Sequence, residues 1–132
     1  MAFDFGTVRT GIAITDALQM IAFGLTTVQT NDIFTFLKDF LKTEQLSLFV
    51  VGLPLQTNNT LSESEEHIKK FVKKLQETFP KIPIERYDER FTSKIAYRSI
   101  VDAGLKKSKK HDKKLIDKIS ATIILQSYLS SR

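Results

Sequence analysis

The sequence predicts an α/β protein in which one mixed β-sheet carries helices on both faces. Two observations support this class. Three strand-like segments follow one another closely at the start of the chain, and helical and strand-like patterns then alternate up to a last helix. Short connections between the first three strands favour antiparallel neighbours. Residues 1–132 have the length of one ordinary domain and include no linker, internal repeat or low-complexity tract, so we expect a single domain.

The first elements follow from the spacing of apolar and β-branched residues. Strands are predicted in the apolar stretch 1–15, which includes "GIAITD", and in "MIAFGLTTVQ". The apolar residues of "NDIFTFLKDFLK" recur at helical spacing and predict the first helix. The continuous apolar run "LSLFVVGLP" is typical of a central strand that is covered on both faces.

The second half of the chain predicts four more elements. An apolar stripe between 61 and 79 indicates a second helix, and "KIPIERYDERF" indicates a fifth strand. A third helix is predicted from 92 to 104, between a threonine cap and a terminal glycine. The last helix is predicted from about 113 to 129.

Composition excludes some classes and favours a polyanionic partner. The chain has no cysteine, which excludes a disulfide scaffold and thiol chemistry, and no apolar run is long enough to cross a bilayer. We therefore expect a soluble, cytoplasmic protein without a membrane partner. The net charge is +5 and the isoelectric point is about 9.5. Much of this charge lies in one run, which is either a solvated loop or a nucleic-acid contact: Lys106, Lys107, Lys109, Lys110, Lys113, Lys114 and Lys118.

Three aspartates occupy positions where a core would exclude them. Asp4 lies in the first strand, Asp88 at the end of the fifth strand, and Asp117 in the last helix. Burying an unpaired carboxylate costs far more than one apolar contact returns. On a helical wheel, Asp117 shares a face with Ala121 and Ile124, so it points inward or toward a rim.

A metal site explains all three aspartates together. Converging carboxylates raise one another's pKa unless a cation lies between them, and a magnesium-type ion prefers such oxygen ligands. Each residue also has a simpler interpretation: Asp4 could cap the turn before Gly6, Asp88 could pair with Arg90, and Asp117 could pair with a lysine.

Two arginines near the aspartates are candidate phosphate ligands. Arg9 and Arg90 follow Asp4 and Asp88 by a few residues, where a guanidinium group could hold a phosphate or form a surface ion pair. Carboxylate-held ions can activate water for phosphoryl displacement. The predicted nucleic-acid contacts are Arg9, Arg90, Lys107, Lys109, Lys110 and Lys114.

Four segments carry a family resemblance. "DFGTVRTGIAITD", "VVGLPL", "DERFTS" and "KKLIDKISATIILQSYL" resemble, in order and spacing, the motifs of the YqgF family of bacterial Holliday-junction-resolvase-like proteins, also described as candidate pre-16S rRNA nucleases. The resemblance covers nearly the whole chain. It implies a ribonuclease-H-like fold with sheet order 3-2-1-4-5 and strand 2 antiparallel. It also implies that Asp4, Asp88 and Asp117 form a catalytic Mg²⁺ or Mn²⁺ site. Because side chains alternate along a strand, only one of Asp88 and Glu89 should reach this site unless the strand has already ended.

The resemblance implies an endonuclease that processes the 5′ end of pre-16S rRNA in ribosome biogenesis. Cleavage of branched, four-way DNA is the alternative within the same chemistry. A noncatalytic nucleic-acid-binding module is a further alternative. A nucleotide-binding ATPase of the actin type is disfavoured, since that fold needs two domains. His67 and His111 are not expected to act in catalysis, and the sequence leaves monomer and homodimer open.

Overall fold

The computed structural model describes residues 1–54, 65–89 and 113–132. A short 3-10 turn, Thr30–Asp32, precedes the first helix. The predicted helix at 92–104 and most of the lysine run lie outside the described residues. Within the described ranges the strands and α-helices are, in chain order, β1 (Ala2–Asp4), β2 (Arg9–Thr15), β3 (Ala22–Gln29), α1 (Ile33–Phe40), β4 (Phe49–Leu53), α2 (Glu65–Thr78), β5 (Ile84–Asp88) and α3 (Lys113–Ser131).

The five strands form one mixed sheet in the order β3-β2-β1-β4-β5. Strand β2 is antiparallel to both β1 and β3, whereas β1, β4 and β5 are parallel. This confirms the predicted sheet order and the antiparallel second strand. The carboxyl ends of β1, β4 and β5 and the amino end of β2 therefore lie together, and we call this side of the sheet the site edge.

Alternation along the strands separates two cores. Phe3, Ile12 and Val51 face α1 and α2, where they join a cluster that includes Leu37 and Phe71. Their strand neighbours face α3 and form a second cluster with it, made of Ala2, Ala13, Val50, Ala121, Ile124 and Leu125. The helices therefore cover both faces of the sheet, as predicted.

Small residues let α3 lie close to the sheet. A Cβ atom at Gly11 of β2 would overlap the main-chain carbonyl of Asp117. Ala121 and Ile124 of α3 are fully or almost fully buried, which confirms the inward face predicted for this helix. The Thr27 hydroxyl of β3 donates a hydrogen bond to the main-chain carbonyl oxygen of Lys114 (2.5 Å). The start of α3 is consequently held against the site edge. No helix within the described ranges is long and apolar enough to cross a membrane.

Candidate active site

Asp4 is the last residue of β1, the central strand of the sheet. The pKa of its carboxyl group is raised from 3.8 to about 7, first by burial and then by the negative charges of Glu89 and Asp117. These three carboxyl groups therefore act on one another at the site edge. A positive charge nearby would lower the cost of ionising Asp4 there.

Asp117 approaches Asp4 from α3 and is held by Arg9. The Arg9 Nε donates to the Asp117 Oδ2 at 3.1 Å, and both side chains remain partly exposed. Arg9 begins β2, beside the end of β1, and glycine at position 11 allows α3 to come within reach. The ion pair that we considered for Arg9 is thus present, and its partner is Asp117. The lysine partner that we considered for Asp117 is replaced by an arginine.

Glu89 reaches the same face from the end of β5. A Cβ atom added at Gly52 would lie 3.0 Å from the Glu89 Cδ and 3.1 Å from its Oε2. The Glu89 carboxyl group therefore lies directly over Gly52, and the absence of a side chain on β4 makes the room for it. The same Cβ atom would lie 3.1 Å from Ile124 of α3, which puts Glu89 on the α3 face of the sheet. Strand β5 ends at Asp88, so Glu89 lies beyond the strand. The alternation of side chains between the two faces of the sheet therefore does not fix the direction of the Glu89 side chain.

Asp88 occupies a different position. It is partly buried and pairs in register with Leu53 at the end of β4. It follows Arg86 by two residues, and the Arg86 side chain reaches α2, so alternation puts Asp88 at a register position on the α2 face. Glu89 and Asp117 lie near enough for their charges to act on Asp4. The catalytic and metal-binding roles of Asp4, Asp88 and Asp117 stay predictions.

A buried ion pair beneath the site was missed in the sequence. Arg86 donates to both carboxylate oxygens of Glu65 at the start of α2, at 2.7 and 3.1 Å. The same guanidinium group donates to the carbonyl oxygens of Val51 (3.2 Å) and Gly52 (2.9 Å). It thereby fixes the end of β4, on which Glu89 rests. The available signal was an arginine in the middle of the predicted fifth strand, together with a glutamate in the first turn of α2.

The pKa of Glu89 depends on its burial and on three charged neighbours, Arg86, Asp88 and Glu65. Burial raises the pKa of Glu89, and Asp88 and Glu65 add negative charge that raises it further. Arg86 lowers the pKa, but its effect is smaller than that of burial. Two of the acids at the site edge, Asp4 and Glu89, therefore bind protons more tightly than ordinary carboxylates do.

The acids fit a hard divalent cation in their chemistry. All three are carboxylates, whose oxygens such a cation prefers as ligands. The pKa of Asp4 is raised mainly by burial and to a smaller extent by the negative charges of Glu89 and Asp117, and a cation would offset those charges. Asp117 forms its ion pair with Arg9. Across residues 1–54, 65–89 and 113–132, no three histidine or acidic side chains lie close enough to form a preassembled metal cluster.

Of the predicted nucleic-acid contacts, two lie in the described residues. Arg9 is at the site, and Lys114 is exposed in the first turn of α3, where the helix meets β3. The other predicted contacts lie outside the described residues: Arg90, Lys107, Lys109 and Lys110.

The sheet order, with Asp4 at the end of the central strand, is that of the ribonuclease-H-like class. The chain belongs to the RuvX family, described as "Holliday junction resolvase", whose model matches residues 1–131. This confirms the resemblance stated above.

Relatives match over almost their full length. The chain is 54% identical to a protein of Christiangramia forsetii over 129 residues, which are 98% of this chain and 96% of that protein. It is 48% identical to one of Bacteroides thetaiotaomicron over 132 residues (100% and 96%) and 50% identical to one of Parabacteroides distasonis over 132 residues (100% and 94%). Each of the three relatives bears the name "Putative pre-16S rRNA nuclease".

Proposed function

We propose that the protein is an endonuclease that hydrolyses phosphodiester bonds with Mg²⁺ or Mn²⁺ and processes the 5′ end of pre-16S rRNA. The observation that carries this proposal is the partly buried Asp4 carboxyl group at the end of the central strand, on which the charges of two further acids act. The names of the relatives support the RNA substrate, and the net charge of +5 supports a nucleic-acid partner. The proposal implies a cytoplasmic protein that acts as a single domain.

Asp4, Glu89 and Asp117 would hold the ion, and the sequence prediction adds Asp88 to them. A bound Mg²⁺ or Mn²⁺ supplies a polarised water and neutralises charge on the phosphodiester. Strand β1 pairs with a strand on each side, so Asp4 is held rigidly, as a precise site requires. Arg9 holds Asp117 in place through their ion pair. Its guanidinium group, at the same edge of the sheet, could also bind a phosphate of the substrate strand.

The test compares the wild type with Asp4→Asn on labelled pre-16S leader RNA, with Mg²⁺, Mn²⁺ or EDTA. We expect the wild type to cut the RNA only with metal, and Asp4→Asn to cut at least about 100-fold more slowly, as when one charge-stabilising group of an active site is removed. Asp39→Asn is the matched control, since Asp39 is an exposed acid of α1 that pairs with Lys42. Equal cleavage by wild type and Asp4→Asn would contradict the proposal. So would RNA binding by the wild type without cleavage under any metal condition, which would instead indicate a noncatalytic binding module.

Cleavage of four-way DNA junctions is the second candidate. The family description favours it, because that description names junction resolution. The same proteins and metals are therefore tested on a labelled four-way DNA junction. Faster metal-dependent cleavage of the junction than of the RNA would assign the site to DNA.

A further inference from the structure

A cavity opens near the site edge, on the α2 face of the sheet. It has a volume of about 310 Å³ and lies between the β1–β2 turn, α1 and α2. This volume is at the lower end of the range found for small-molecule sites. Phe5, Phe34 and Phe71 contribute to its wall. The cavity is separate from Asp4, Glu89 and Asp117, which lie on the α3 face.

The aromatic wall is a cluster of touching rings. Phe5 stacks on Phe71 with centroids 4.9 Å apart, and Phe34 meets Phe71 edge to face at 5.9 Å. Phe71 is almost fully buried and belongs to the core, whereas Phe5 and Phe34 are only partly buried. Phe5 and Phe34 therefore offer ring surface to the cavity.

Basic residues of α2 line the same cavity. His67, Lys70 and Lys74 are exposed and recur at spacings of three and four, so they follow one face of the helix. The Lys74 ammonium lies 4.6 Å from the centroid of the Phe34 ring. The cavity thus presents a cation beside an aromatic face. A ligand with a flat ring and a phosphate would match them, since the ring can stack on the aromatic face and the phosphate can pair with the cation.

The cavity is one residue away from the candidate active site. Phe5 follows Asp4 directly, and consecutive side chains at the end of a strand turn to opposite faces. The turn between β1 and β2 is held in place because Thr30 donates from its hydroxyl to Gly6 (2.6 Å) and from its amide to Val8 (2.9 Å). A nucleic-acid strand at Asp4 could cross this short, fixed turn and reach the cavity.

We propose that this cavity binds an unpaired nucleotide of the RNA strand that flanks the phosphate to be cut. The base stacks on Phe5 and Phe34, and Lys74 leaves the Phe34 ring to pair, with Lys70, with the backbone phosphate. Single-stranded bases are commonly bound in this way, by aromatic stacking beside basic residues. The inference rests on the proposed nuclease function for its substrate, but it concerns binding and not the chemical step.

The test measures the affinity of a short, fluorescent single-stranded RNA by anisotropy in EDTA, where cleavage is prevented. Each base in turn is replaced by an abasic site. For the wild type, one abasic position is expected to weaken binding by about tenfold, the effect of losing one stacked base. Phe34→Leu, which keeps an apolar side chain, is expected to lose that sensitivity. Circular dichroism checks that this variant is folded.

A charge-matched pair of double variants tests the phosphate contact. Lys70→Glu/Lys74→Glu changes two lysines at the cavity, and Lys69→Glu/Lys73→Glu changes two exposed lysines with the same spacing on another side of α2. At equal salt, the first pair should weaken RNA binding several-fold more than the second. An equal effect of the two pairs would indicate general attraction by a basic helix and would overturn the proposal.

Two other outcomes overturn the inference: no RNA binding by the wild type, or an equal abasic penalty in the wild type and Phe34→Leu. Its failure is separable from that of the nuclease proposal, since Asp4→Asn should retain the abasic penalty in EDTA. If cleavage fails, the abasic penalty can still be measured and still tests the nucleotide-binding cavity. If the abasic penalty is absent, the cleavage assay still tests the nuclease proposal.

Discussion

Replacing Asp4 by asparagine is expected to stabilise the metal-free protein above pH 7 and to change its stability little near pH 4. The pKa of Asp4 is about 7 in the folded protein, against 3.8 for an ordinary aspartate. Between these values the folded state retains a proton that the unfolded chain has released. The folded state therefore loses stability as the pH rises from about 4 to about 7. Asparagine has the same shape and no charge to desolvate.

The magnitude follows from the difference in pKa. At about 1.4 kcal/mol for each pKa unit, the difference between 3.8 and about 7 corresponds to roughly 4 kcal/mol above pH 7. Urea unfolding in EDTA, followed by circular dichroism, measures the free energy of unfolding of both proteins across this pH range. Asp39→Asn serves as the control, because its exposed carboxylate should have a small effect at every pH.

The reasoning is refuted if Asp4→Asn is no more stable than the wild type near pH 8, or if the difference between them does not grow with pH. Either result would mean that Asp4 already has a compensating charge in the metal-free protein. The same unfolding measurement with added Mg²⁺ tests the site a second time. It should raise the free energy of unfolding of the wild type more than that of Asp4→Asn, since a ligand stabilises the state that binds it.

Three further predictions concern the surroundings of Asp4. Glu89→Gln should lower the rate of metal-dependent cleavage by about 100-fold or more, and Asp88→Asn should lower it less, because Glu89 shares the face of Asp4. Gly52→Ala should slow cleavage by about tenfold, an effect of about 1.4 kcal/mol on the barrier, because the added Cβ meets the Glu89 carboxyl group at 3.0 Å. It should also lower the melting temperature slightly, because the same Cβ meets the buried Ile124 side chain at 3.1 Å. Arg86→Met should cost about 3–5 kcal/mol in urea unfolding, since it leaves Glu65 buried without its partner. The double variant Arg86→Met/Glu65→Leu should recover much of that loss.

Each of these predictions has a contradicting outcome. A larger loss of cleavage in Asp88→Asn than in Glu89→Gln would assign the third carboxylate to Asp88, as the resemblance implies. Normal cleavage by Gly52→Ala would show that the position of Glu89 is not critical. Additive costs in the Arg86 and Glu65 variants would show that the two side chains do not act as a pair.

Much of the fold could be predicted because the signals are local. Apolar alternation and β-branched residues indicated the strands, and short connections indicated that the first three are antiparallel. Helical periodicity predicted that Asp117 points inward or toward a rim, on the side of α3 that carries Ala121 and Ile124. In the structure Ala121 and Ile124 are buried and Asp117 is partly exposed. Asp4 was recognisable as a site residue because a carboxylate in a buried strand is costly wherever the rest of the chain lies.

The partners of the site residues could not be predicted in the same way. Arg9 lies 108 positions from Asp117, and Arg86 lies 21 positions from Glu65. Such pairs depend on which strands are neighbours, on their register, and on how closely a helix approaches the sheet. No periodicity within one segment carries that information.

The sequence by itself therefore determined the strands and helices described here and the presence of acids where a core should be, because alternation, periodicity and the cost of buried charge act within a segment. Only the tertiary structure decided that Glu89 lies over Gly52, that Arg9 holds Asp117, and that Phe5 and Phe34 line one basic cavity. The physical reason is that these contacts join segments far apart in the chain. They form only when register and helix approach bring those segments within a few ångströms.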